Sequence, residues 1–246
     1  MDDPGALLVL GMAAGTFVGA VAQRATGMGF ALLTAPFLVL VLGPLEGILA
    51  VNAASCVANS LILVQVHRDI DWTRAKVLVP MGVVGVLPGA LAVALLPEAP
   101  LTIVVSLLVV LGLATTVLMR GRTLPPSTAL GAVGGFASGF MNVTAGVGGP
   151  GVVVYARATG WEHRRFAATA QLHGLVLGAV SLAAKRALPA FSPTGWTALL
   201  LALLAGLVVG DRLARRVDGS DMMRPVIVIA SAGALLALVR GVLALG

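Results

Sequence analysis

Two short polar breaks interrupt an otherwise apolar chain, and their residues could bind an anion. The first, "QRATGMG" at 23–29, places Gln23, Arg24 and Thr26 beside Gly27 and Gly29. The second, "NVTAGVGG" at 142–149, places Asn142 and Thr144 beside Gly146 and Gly148. Amides and hydroxyls donate hydrogen bonds, and a guanidinium donates two from a planar fork that stays charged. Glycines let the backbone come close to a ligand, and a helix that starts after such a break points unsatisfied N–H groups into it. Pro150 suits the first turn of a helix starting at the second break. Donors of this kind at both breaks suit an oxyanion.

Further polar residues stand alone in apolar surroundings. Asn52 and Gln171 are expected to face other helices or a substrate. His173 could carry a coupling proton, because imidazole changes charge near neutral pH. It lies two residues beyond Gln171, a turn of about 200° on a helix, so the two are not expected on one narrow face. Cys56 is the only cysteine, which excludes an internal disulfide and leaves it a packed small side chain. With three histidines in all, and no H-E-x-x-H, G-x-S-x-G or Walker A pattern, the chain is not read as an enzyme or ATPase, and no metal or cofactor is expected.

The elements that hold these residues are membrane helices. Of 246 residues, 59% are hydrophobic and only 11% charged, and the mean hydropathy is +1.03. No soluble domain covers itself with so few polar side chains. Apolar segments fall near 5–22, 28–43, 46–66, 75–96, 100–119, 126–141, 147–158, 163–184, 194–211 and 222–245. The long ones suffice to cross a hydrocarbon core of roughly 30 Å. The pairs meeting at the two breaks are shorter and read as broken or re-entrant hairpins, giving six crossings if both re-enter and ten if every segment spans.

The start carries Asp2 and Asp3 in place of a basic leader region, so it is read as the first membrane segment. The net charge of +6 records topology here and implies no nucleic-acid partner. Arg68, Arg74, Lys76, Arg120, Arg122, Arg157, Arg164, Arg165, Arg212, Arg215 and Arg216 fall in four connections, which the positive-inside rule puts in the cytoplasm. Both termini are then extracytoplasmic, and only Lys185 and Arg186 disagree.

The chain also repeats itself. Gly15, Gly19, Gly27 and Gly29 align with Gly135, Gly139, Gly146 and Gly148, Asn52 with Gln171, and Gly85 and Gly89 with Gly206 and Gly210. Residues 1–122 and 123–246 are therefore read as two repeats, each a glycine-rich hairpin plus three long helices, together one all-α transport domain. An odd number of crossings per repeat inverts the second copy, and inverted repeats with interrupted helices point to a secondary transporter with its site at the midplane. Gln23 falls opposite Asn142, whereas Arg24 has no basic counterpart, which suggests one site with one fixed charge. At membrane depth an arginine costs at least about 2.5 kcal/mol, so Arg24 either lines a wet cavity or snorkels to the boundary.

The stretches "GTFVGAVAQRATGMGFALLTAPFLVL" (15–40), "HRDIDW" (67–72) and "GGFASGFMNVTAGVGGPGVVVY" (134–155) resemble the sulfite exporter TauE/SafE family of anion permeases. The resemblance runs over essentially the whole chain and implies export of sulfite, a small organosulfonate or a related sulfur oxyanion across the inner membrane, with lipid as the other partner. Small-xxx-small patterns such as "GVVGVLPG" (82–89) serve packing within one chain or between copies, so a homo-oligomer stays open.

Overall fold

A computed structural model describes residues 5–26, 30–97 and 124–215, with isolated positions between 100 and 114 and between 228 and 243. Gly27, Gly29, the side chain of Thr26 and most of the segments expected at 100–119 and 222–245 lie outside the described residues. Within them the chain is all helix: α1 (Ala6–Thr26), α2 (Phe30–Leu42), α3 (Pro44–Val66), a 3-10 turn (His67–Asp69), α4 (Trp72–Leu95), α5 (Thr128–Ala145), α6 (Gly149–Ala158), α7 (His163–Lys185) and α8 (Pro193–Ala214).

Local chemistry sets these bounds. Asp71, Ser127 and Ser192 each accept a hydrogen bond from a first-turn N–H, starting α4, α5 and α8. Pro44 and Pro193 occupy first turns, where a missing N–H costs nothing. Gly146, at φ 70°, ends α5 in the left-handed conformation, its N–H donating to Asn142 O. One expectation shifts: the polar residues of both breaks are helical. Gln23 and Arg24 sit in the last turns of α1, and Asn142 and Thr144 in those of α5. No residue before Gly27 or Gly146 stops its helix, so each runs on to the glycines.

Five stretches are long and apolar enough to cross a membrane: Leu7–Arg24, Pro44–Asp69, Trp72–Leu95, His163–Lys185 and Pro193–Ala214. With 13 and 10 residues, α2 and α6 extend only about 20 and 15 Å and do not cross alone. Leu87, Leu91 and Leu95 form an exposed stripe on α4, opposite the buried Leu78, Gly82 and Val86. That arrangement fits lipid on the outside and close helix packing within.

Helices pack in pairs through glycine. Along α8, Gly206 lies against Phe17 and Ala20 of α1 and Gly210 against Val21 and Arg24, so α1 and α8 run parallel. Likewise α4 and α5 run parallel, with Gly135 against Leu78, Gly139 against Gly82 and Gly89 against Phe140 and Val143. A Cβ on Gly139 would collide with the carbonyl of Gly82. At the centre α3 runs antiparallel to α7, with Asn59 beside Gly174, Cys56 beside Gly178 and Cys56 Sγ 3.8 Å from Leu175 O.

The two ends of the bundle differ in charge. At one, Arg24, Arg68, Arg74, Lys76, Arg157, Arg164, Arg165, Arg212 and Arg215 gather, tied by Arg164–Asp69 at 2.8 Å and Arg24–Asp211 at 3.0 Å. At the other lie Lys185 and Arg186, and Glu46 accepts a hydrogen bond from Ala190 N at 3.1 Å.

Candidate functional site

A cavity of about 90 Å³ lies where the two short helices begin. Phe30, Ala31 and Leu32, the first turn of α2, line it, and so do Val147, Gly148 and Gly149 at the start of α6. First-turn N–H groups have no acceptor within their own helix, so each such end is electropositive. The walls come from Gln23 of α1, Ser55 and Asn59 of α3, Ser138 and Asn142 of α5, and α7.

Its polar side chains form three hydrogen-bonded groups. Gln23 Nε2 donates to Asn59 Oδ1 and to Gln171 Oε1, both at 3.0 Å, joining α1, α3 and α7. Ser181 Oγ donates to Asn142 Oδ1 at 2.7 Å. Ser138 Oγ lies 2.6 Å from Gly148 O and 2.8 Å from His173 Nε2. A carbonyl only accepts, so the single serine hydrogen goes to Gly148 and Nε2–H of His173 must donate to Ser138. His173 Nδ1, fully buried, has no partner among the described residues. The Nδ2 groups of Asn59 and Asn142 likewise make no hydrogen bond with described residues, leaving two amide donors on the cavity wall.

Of the residues singled out from sequence, Gln23, Asn142, Gly148, Gln171 and His173 line this cavity together. Gln171 and His173 do so from two sides: Gln171 faces α1 and α3, while His173 faces α5. The two therefore lie on different faces of α7, as their separation of about 200° implies, and both reach the cavity because it extends along both flanks of the helix.

The others are placed elsewhere. Arg24 turns toward the basic end, with Nε 3.1 Å and Nη2 3.0 Å from Asp211 Oδ1 and Nη2 2.5 Å from Gln65 Oε1. Thr144 Oγ1 donates to Phe140 O within its own helix at 2.6 Å. Gly146 caps α5 against Val51. Asn52 is fully buried in α3, and neither atom of its amide has a partner among the described residues. Among the described lining residues none is arginine or lysine. Asn59, Ser55 and Ser138 were not singled out, although a signal existed: Ser138 precedes Asn142 by one turn, and Asn52, Ser55 and Asn59 share one face of α3.

A family model described as sulfite exporter TauE/SafE matches residues 8–238. The chain belongs to this family. Neither a curated protein nor a solved structure matches it significantly. Together with five membrane-capable helices, the family makes this TauE/SafE member a multi-pass membrane protein of a transporter family, with a small anion as substrate.

Proposed function

We propose that the chain exports sulfite, or a comparably compact sulfur oxyanion, across the cytoplasmic membrane by alternating access between two inverted repeats. The observation that carries this reading is the cavity itself. Its polar side chains are buried, it brings together the first turns of two short helices from opposite halves of the chain, and it offers amide donors with no acceptor among the described residues. Such ends and donors hold an oxyanion without a fixed cation. A volume of about 90 Å³ suits a few waters or one compact oxyanion better than a bulky organosulfonate.

Packing supports the repeat. The pairing of α1 with α8 and of α4 with α5 exchanges when each half takes the other's place, and both pairs are parallel. The helices α3 and α7 then exchange with each other, and with Asn52 matched to Gln171, the contact of Cys56 with Leu175 maps onto itself. A two-fold axis in the membrane plane passing there puts the cavity near the midplane. The charge asymmetry supports a cytoplasmic basic end, and with it the reading that both termini are outside. In that orientation the membrane potential favours anion export by roughly 2.3 kcal/mol per charge per 100 mV.

In this account the Nδ2 groups of Asn59 and Asn142 hold the anion, Gln23 and Gln171 brace the wall through their hydrogen bonds, and Gly148 shapes the cavity. His173 takes up a coupling proton at Nδ1, its other nitrogen being held by Ser138. Sulfite titrated into purified protein should raise the melting temperature saturably, as a ligand of the folded state does. An equal response to all anions, or to none, would refute the substrate assignment.

A further inference from the structure

A second cavity, of about 320 Å³, opens at the basic end, lined by Asp71, Thr73, Arg74, Ser127, Thr128, Gly131, Tyr155 and Arg165 among others. It lies below the first along the same helices: on α5 Gly131 is two turns before Ser138, and on α6 Tyr155 is one turn after Val152. Nothing in the transport account uses it.

Its walls are built to donate. Tyr155 is only 7% exposed and lines the cavity; its hydroxyl lies beside Gly131, another lining residue, and has no hydrogen-bond partner among the described residues. Arg74 is fixed in place: its guanidinium carbon lies 4.5 Å from the Trp161 ring centre and 5.4 Å from that of Tyr155, and Nη1 donates to Thr159 Oγ1 at 2.7 Å. That leaves Nη2 without a partner among the described residues. Asp71 is the one carboxylate among the described lining residues; it is turned to Arg74, taking its backbone N–H at 3.2 Å and facing Nε at 3.5 Å. Arg165 adds a second guanidinium, only loosely paired to Glu162 at 3.7 Å. Ser127 accepts the N–H of Leu130, so its own hydrogen is free to donate, and the parallel α4 and α5 both begin here. Two guanidiniums against one engaged carboxylate reject a cation and favour an anion.

We infer that this cavity is a second anion site, binding one phosphate- or sulfonate-type oxyanion group through the Tyr155 hydroxyl, Arg74 and Arg165. That chemistry is shared by a free oxyanion and by the headgroup of an anionic lipid. Binding here does not depend on the transport account; where that account holds, a free anion bound here stands on the cytoplasmic approach to the buried cavity.

Two measurements on the full-length purified protein separate the sources: equilibrium dialysis of labelled sulfate against delipidated protein, and native mass spectrometry of retained phosphatidylglycerol. The variants are Tyr155→Phe, which keeps the ring and removes only the hydroxyl, and Arg165→Gln at an exposed position. Thr197→Ala, exposed in the first turns of α8 and away from both cavities, is the control. Saturable sulfate binding weakened about tenfold in both variants and unchanged in Thr197→Ala is expected for a free oxyanion. Phosphatidylglycerol retention with the same pattern supports the headgroup. Absence of both ligands, equal binding in wild type and both variants, or loss in Thr197→Ala alone would overturn the proposal.

Discussion

Gln23 and Gln171, 148 residues apart in sequence, meet through a hydrogen bond of 3.0 Å inside the membrane bundle. The same Gln23 nitrogen also bonds Asn59, so one amide from the first half holds two helices together at the edge of the buried cavity. Gln23→Leu takes a donor away from two buried acceptors. It should cost about 1–3 kcal/mol of stability and lower sulfite affinity by at least about tenfold. Thermal melting with and without sulfite measures both, and a melting curve and affinity equal to wild type would remove Gln23 from the site.

Arg24, the adjacent residue, should behave differently. Its partner Asp211 is also held by Arg215 at 3.0 Å, so Arg24→Ala leaves no isolated charge. The Arg24–Asp211 pair is partly exposed and worth no more than about 1 kcal/mol. Transport should stay within about twofold of wild type, as initial rates in proteoliposomes would reveal.

His173 tests coupling. If Nδ1 takes up the coupling proton, His173→Gln should exchange sulfite across the membrane yet lose the acceleration that a pH gradient gives to net flux. Ser138→Ala, which frees Nε2 from its acceptor, should weaken the same response. A pH-gradient response unchanged in His173→Gln assigns coupling elsewhere.

Two glycines separate packing from backbone freedom. A Cβ on Gly139 collides with Gly82 in the neighbouring helix, whereas one on Gly149 meets nothing within 4 Å. Gly139→Ala should cost about 1–3 kcal/mol or more and yield little monodisperse protein. Gly149→Ala should elute as wild type, and size-exclusion profiles in detergent decide between the two outcomes.

Most of the helical order was legible in the sequence, because apolar runs of membrane length are punctuated by Asp71, Ser127, Ser192 and the first-turn prolines. Helix ends were less so: α1 runs through Gln23 and Arg24 because glutamine and arginine favour helix as much as their apolar neighbours do. Which of those two faces inward was not legible either. Adjacent helical residues point about 100° apart, and the choice rests on Asp211, which is 187 residues away in the chain. Asn59 and Ser138 carried only the signal of their helical spacing from Asn52 and Asn142; what places them in one site is the packing of α3, α5 and α7 around a shared cavity.

The central claim is that the buried cavity, and not Arg24, binds the transported anion. Counterflow of labelled sulfite in proteoliposomes tests it most directly, comparing wild type with folded Asn142→Ala, Gln171→Ala and Arg24→Ala. The account predicts saturable exchange in wild type and Arg24→Ala, with exchange reduced at least about tenfold in the two cavity variants. Exchange retained in Asn142→Ala and Gln171→Ala but abolished in Arg24→Ala would contradict it.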